Sequence, residues 1–292
     1  PLGGRRSSGV ERQVREARCQ SGHRFPLHVA SVSYAPGGDF HRHDPCGEKP
    51  VLTFTPLALG YAIALAIGLP LLAFRTGLRE EHVAEVTKAR SAVYFSAAVS
   101  IGVLAAITFG VSAWQGIPPD AVGWKVETAG LAFVWAIGVA VAGLTTVWLV
   151  VRAGQVLNLP ESRLSFVLMP RTSAEKRAFL LVAAVAAVGE EYLYRGFMYH
   201  VFADSLGGVW IAATLTSVSF GVAHGYQKTI GMLRATLLGA LLAVPVIWTG
   251  SLFPSIVAHF WINAAVGLGG WKRLFPDLAA VETGAARDEW NQ

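Results

Sequence analysis

The sequence predicts an all-α fold, a polytopic transmembrane helical bundle of about seven to eight membrane-spanning helices. Three observations predict it. Hydrophobic residues make up 53% of the 292-residue chain, and charged residues only 15%, against roughly 25% in soluble domains. The mean hydropathy is +0.46. The apolar residues are gathered into seven runs, each near the ~20 residues that a helix needs to cross a bilayer. An open sheet cannot span lipid and a barrel would alternate with period two, so the runs are helices. An ordinary soluble enzyme is excluded first. Disorder beyond about residue 50 is excluded by hydrophobicity. A disulfide scaffold is excluded because the only cysteines, Cys19 and Cys46, both lie in the polar N-terminal stretch.

The runs extend from about Val51 to Phe74, Ser91 to Trp114, Thr128 to Val151, Ala178 to Phe202, Gly208 to His224, Thr229 to Thr249 and Leu252 to Gly269. Gly, Ala, Ser and Thr recur inside them and permit close helix packing. Residues 1–50 mix Pro, Gly, Ser, Arg and His without period, begin at Pro1 and precede the first methionine, Met169. They are expected to be disordered or non-native. Residues 51–160 read as accessory helices, 161–270 as the functional core and 271–292 as a polar tail. Thr172-Ser173-Ala174-Glu175 fits a capping box opening the fourth helix, and Gln155 to Leu168 reads as an interfacial segment.

The net charge of +5 does not imply a nucleic-acid partner, because the basic residues sit at the ends of the apolar runs. Arg75, Arg79, Lys88 and Arg90 follow the first run, and Arg152, Arg163, Arg171, Lys176 and Arg177 follow the third. By the positive-inside rule these loops and the C-terminus face the cytoplasm. That places the N-terminus outside, against Arg42 and Lys49; an additional upstream helix, or a non-native residue 1–50 segment, removes the conflict.

Ionisable groups in mid-membrane are costly and mark function. They fall in three places. The fourth run carries Glu190-Glu191-Tyr192-Leu193-Tyr194-Arg195, the fifth ends Phe220-Gly221-Val222-Ala223-His224, and the seventh carries His259-Phe260-Trp261-Ile262-Asn263. Glu191 and Arg195 are four apart and can pair on one face. Glu190 points about 100° away and is left for a different partner. His259 shares a face with Asn263, and Phe220 shares one with His224 and can support its imidazole. His200 and Arg234 fit no constellation and read as interfacial or snorkelling. Glu190 and His259 fall in mid-helix, whereas His224 falls at a helix end. For all to meet, the fifth helix must run past Gly225 or the fourth must begin deeper than Ala178.

The order E-E-x-x-x-R, F-x-x-x-H, H-x-x-x-N on successive apolar runs resembles the CAAX prenyl protease 2 family, also called the CPBP family of intramembrane proteases. The likeness covers about residues 165–270. It implies an eight-helix-type fold with a catalytic cavity open to the cytosolic face, in a multi-pass membrane protein of the plasma membrane if the source is bacterial. It also implies that Glu190 and His224 activate the attacking water, that His259 and Asn263 hold the oxyanion, and that Glu191 and Arg195 support them. The implied partners are the lipid bilayer and a peptide or membrane-protein substrate, prenylated in the namesake case. No cofactor is favoured; the alternative is a zinc ion on His224, His259 and Glu190, although no H-E-x-x-H is present. The competing functions are a non-catalytic scaffold or immunity-type protein of the same fold and a proton-coupled transporter. No internal repeat supports transport.

Overall fold

The computed structural model describes residues 54–76, 78–125, 129–159 and 161–274; residues 1–50 and most of the tail lie outside them. Each of the seven predicted runs holds helix among its described residues. Helix α1 spans Pro56–Thr76, α2 Val83–Lys88, α3 Arg90–Trp114, α4 Ala129–Val156, and the short α5 Arg163–Val167. The fourth run is α6, Ser173–Glu191, then a π-helical turn at Tyr192–Met198, then α7, Tyr199–Leu206. Helix α8 spans Val209–Ala223, α9 Lys228–Thr249, α10 Phe253–Ala265 and, after a second π-turn, α11 Trp271–Leu274.

Among the described residues, α1, α3, α4 and the stretch from Gly225 to Thr249 are long and apolar enough to cross a membrane. Helix α6 carries too many charges and α10 is too short to be recognised by length and composition. Large apolar side chains point outward along these helices: Val103, Ile107 and Phe109 on α3 and Leu131, Phe133, Val134 and Val141 on α4 are all more than half exposed. Such continuous apolar surfaces would be costly in water and are the natural lipid face of an integral membrane protein.

The charged motifs are turned inward because the helices around them approach closely. Helix α8 packs on α9, α3 on α6, and α10 on both α4 and α6. At Gly221 a Cβ would stand 1.8 Å from Thr236 Oγ1 and 2.8 Å from the Met232 carbonyl oxygen, so only glycine lets α8 lie against α9 here. Helix α1 reaches the same bundle, and its Ala66 carbonyl accepts a 2.7 Å hydrogen bond from Ser219 on α8.

The capping box at the start of α6 is formed in full. The Glu175 amide donates to Thr172 Oγ1 at 3.2 Å, and the Thr172 amide returns a 3.0 Å bond to Glu175 Oε2. That oxygen also accepts from the Arg171 amide at 2.7 Å, and Oε1 meets Arg90 at 3.2 Å. Arg90 Nε donates to the Val167 carbonyl and the Tyr94 hydroxyl to the Leu168 carbonyl, both at 2.6 Å. One carboxylate thus ties α3 to α6. Within 155–168, α4 continues to Val156, and α5, capped by Ser162, buries Leu164 and Phe166.

Burial works to raise the Glu175 pKa, but the amides of Thr172 and Arg171 together with Arg90 outweigh it and hold the carboxyl below its ordinary value. A lowered folded-state value stabilises above the unfolded value, about 4.3, and that stabilisation is lost as pH falls through the folded value. Glu175→Gln is therefore expected to lower stability by roughly 1–2 kcal/mol at neutral pH. Thermal unfolding in detergent should show the gap from wild type closing only below about pH 4.

Candidate functional site

The centre of the site is a carboxylate that solvent does not reach. Glu191 and Arg195 are both 0% exposed, and Glu191 Oε1 accepts from Arg195 Nη1 at 3.1 Å. The i, i+4 pair survives the change from α to π turns because Glu191 ends α6 and Arg195 lies within the π-turn. All seven residues of that turn are buried. π-Turns inside helices recur at functional sites, and this one follows the two acids directly.

The same Oε1 accepts a second bond, at 2.8 Å, from His259 Nδ1 on α10. Because a carboxylate only accepts, Nδ1 carries a proton. The other ring nitrogen, Nε2, lies 3.8 Å from Glu190 Oε2. Glu190 keeps 18% of its side chain exposed, and His259 8%. The two adjacent acids therefore differ: Glu191 is sealed and doubly engaged, while Glu190 opens to a partly accessible space facing the imidazole.

Among the described residues the Arg195 guanidinium makes one hydrogen bond, and its Nε and Nη2 atoms are buried without a partner. Aromatic faces compensate the charge: its guanidinium carbon lies 4.6 Å from the Phe220 ring centre and 5.8 Å from that of Tyr194. On the other side, a Cβ at Gly239 of α9 would stand 2.8 Å from Nη2. Glycine there makes room for the guanidinium.

Phe220 also joins the two histidines. Its ring lies 4.5 Å from that of His224 and 6.2 Å from that of His259, the latter at 90°. The fifth run does not continue past Gly225. Helix α8 stops at Ala223, and the half-buried His224 folds back as its C-cap, with Nδ1 2.8 Å from the Phe220 carbonyl oxygen. Nor does the fourth run begin deeper than Ala178: its helix starts at Ser173, at the capping box. Asn263 is half-buried one turn beyond His259 and makes no side-chain hydrogen bond among the described residues. Thus Glu190, Glu191, Arg195, Phe220, His224 and His259 form one connected cluster, and Asn263 flanks it.

Two residues outside the motifs also have partners. Arg234, read as interfacial or snorkelling, grips Glu161 in a bidentate pair at 2.8 and 3.1 Å, with both side chains 12% exposed. Its Nη2 also donates to Gln227 at 2.9 Å, and Gln227 Nε2 donates to the Tyr226 hydroxyl at 2.9 Å. Tyr226 stands 6.1 Å, ring to ring, from His224. This chain braces the turn that carries His224. No sequence spacing signals it, since Glu161 and Arg234 are 73 positions apart. His200, read as interfacial or snorkelling, bonds the Gly196 carbonyl on its own helical segment at 2.7 Å.

Among the described residues no three His, Cys, Asp or Glu side chains are gathered as metal ligands.

The shared carboxylate makes a stability prediction. Removing one partner of a buried pair costs roughly 3–5 kcal/mol. Arg195→Ala should fall in that range by thermal unfolding in detergent. The Glu191→Gln/Arg195→Met double variant should lose clearly less than the sum of its single variants, because coupled residues are not additive. Simple additivity would show that the two side chains act independently.

Neither the curated proteins nor the solved structures provide a match to this chain. Residues 174–265, about one third of the chain, do match a family, and that stretch carries all three motifs: its description is Type II CAAX prenyl endopeptidase Rce1-like, the CAAX protease family that the motifs resemble.

Proposed function

We propose that this membrane protein is an intramembrane endopeptidase that hydrolyses a peptide bond with water activated by Glu190 and His224. The observation that carries the reading is the asymmetry of the two acids, one sealed behind His259 and the other facing it across 3.8 Å. The family likeness of residues 174–265 supports a CAAX-type substrate, a peptide or membrane protein with a prenylated C-terminus.

The hydrogen bonds support a role for each imidazole. The Phe220 carbonyl can only accept, so His224 Nδ1 donates to it and Nε2 keeps its lone pair. That lone pair accepts a hydrogen bond from water. Glu190 takes the water's proton, and the hydroxide oxygen adds to the scissile carbonyl carbon. His259 has the opposite polarity. With Nδ1–H bound to Glu191, its protonated form presents Nε2–H as a donor. His259 Nε2–H and the Asn263 amide then receive the oxyanion. Glu190 passes its proton to the amide nitrogen, the C–N bond breaks, and a carboxylic acid and an amine leave, the acid then giving its proton to the amine. No step uses a metal.

Glu190→Gln, nearly isosteric, should stay folded and lose at least ~10²-fold in turnover of a prenylated CAAX peptide. Near-wild-type turnover would remove Glu190 from the mechanism. Asn263→Ala should lose about 10²–10³-fold in kcat with little change in KM, the signature of a lost oxyanion donor. Exhaustive chelation should leave wild-type turnover intact. Restoration of chelated enzyme by zinc, with stoichiometric metal that His224→Ala loses, would instead make Glu190 a ligand.

A further inference from the structure

The α6 start and the turn after α10 enclose a cavity of about 200 Å³ that the catalytic reading does not use. Its walls include Arg171, Lys176 and Lys272, together with Pro170, Leu268 and Trp271. These residues lie at, or just beyond, the ends of the family-matched stretch, 174–265.

Trp271 is the floor. It is 3% exposed, and two cations lie against its ring: the Arg171 guanidinium carbon at 5.0 Å from the ring centre and Lys272 Nζ at 5.6 Å. Arg171 is further held by its Nη2 bond to the Phe166 carbonyl. Glu175 offsets part of the Arg171 charge, whereas Lys176 and Lys272 make no ion pair among the described residues. The cavity therefore keeps a net positive charge, which an anion between its walls offsets.

The backbone also leaves room. Gly269 adopts φ +147°, a conformation that L side chains rarely adopt, and a Cβ there would meet nothing within 4 Å. Leu268, on the rim, is 42% exposed. The pocket thus offers cations and an indole beside an apolar surface, at the end of helices that cross or enter the membrane. That combination fits an amphiphile with a phosphate group, since basic pockets between membrane helices hold lipid headgroups.

We infer that the cavity bounded by Arg171, Lys176, Trp271 and Lys272 binds the phosphate of a membrane phospholipid, with Leu268 against the start of its acyl chain.

The test titrates the detergent-solubilised full chain with short-chain phosphatidylglycerol, with the matching diacylglycerol that lacks phosphate, and with inorganic phosphate, reading adducts by native mass spectrometry. Wild type should retain phosphatidylglycerol saturably and not the diacylglycerol. Lys176→Gln/Lys272→Gln should weaken retention by about 30-fold, roughly fivefold for each lysine. Arg177→Gln/Arg273→Gln removes the same charge from outside the cavity and should retain the lipid as wild type does. Both doubles should melt as wild type does without lipid. Equal weakening in the two doubles, or in neither, would overturn the site. Retention of inorganic phosphate with no retained phospholipid would overturn the lipid assignment.

Discussion

The site depends on one oxygen atom, Glu191 Oε1, which accepts from Arg195 at 3.1 Å and from His259 at 2.8 Å. A buried carboxylate is expensive unless its charge is answered and its lone pairs are used. Here the charge is answered from two helices through Oε1, while Oε2 is buried with no partner among the described residues. Arg195 follows on the same helical segment, and His259 comes from α10. The carboxylate therefore cross-links the bundle and also sets which nitrogen of His259 bears a proton. Stability and chemistry share one interaction, so a substitution at Glu191 cannot be read as affecting only one of them.

The surroundings follow from that constraint. Arg195 needs space and weak acceptors, and it finds them in the missing side chain of Gly239 and in the rings of Phe220 and Tyr194. Phe220 then orders both histidines, stacking beside His224 and meeting His259 edge-on. The outer helices serve the same end. Their apolar faces meet lipid, and their small residues let polar side chains meet one another inside. Ser112 of α3 bonds the Tyr192 hydroxyl at 3.1 Å at the start of the π-turn, so even a helix outside the family-matched stretch braces the motif.

Much of this was legible in the residue order. Seven apolar runs predicted seven helical segments, and the capping box at Thr172 predicted where α6 begins. The four-residue spacing of Glu191 and Arg195 predicted their pairing, because that relation is local. Relations between helices were not legible. Nothing in the spacing distinguishes Glu190 from Glu191 as the partner of His259 Nδ1, since helix rotation decides it. The grip of Arg234 on Glu161 was likewise missed, because it joins two segments that the bundle alone brings together. The π-turn also escaped: its residues, Tyr192 to Met198, read as ordinary helix, and it forms where the buried pair and the packing against α8 and α9 favour a wider turn.

The central claim is that this cluster directs water onto a peptide bond, and the isotope of the oxygen in the product tests it most directly. Purified protein is incubated in ¹⁸O-enriched water with a prenylated CAAX peptide and its unprenylated twin, and the products are weighed by mass spectrometry. The account predicts internal cleavage of the prenylated peptide, with one heavy oxygen in the newly formed carboxylate. Intact peptide in every sample from folded protein, or cleavage without heavy oxygen in the product, would contradict it.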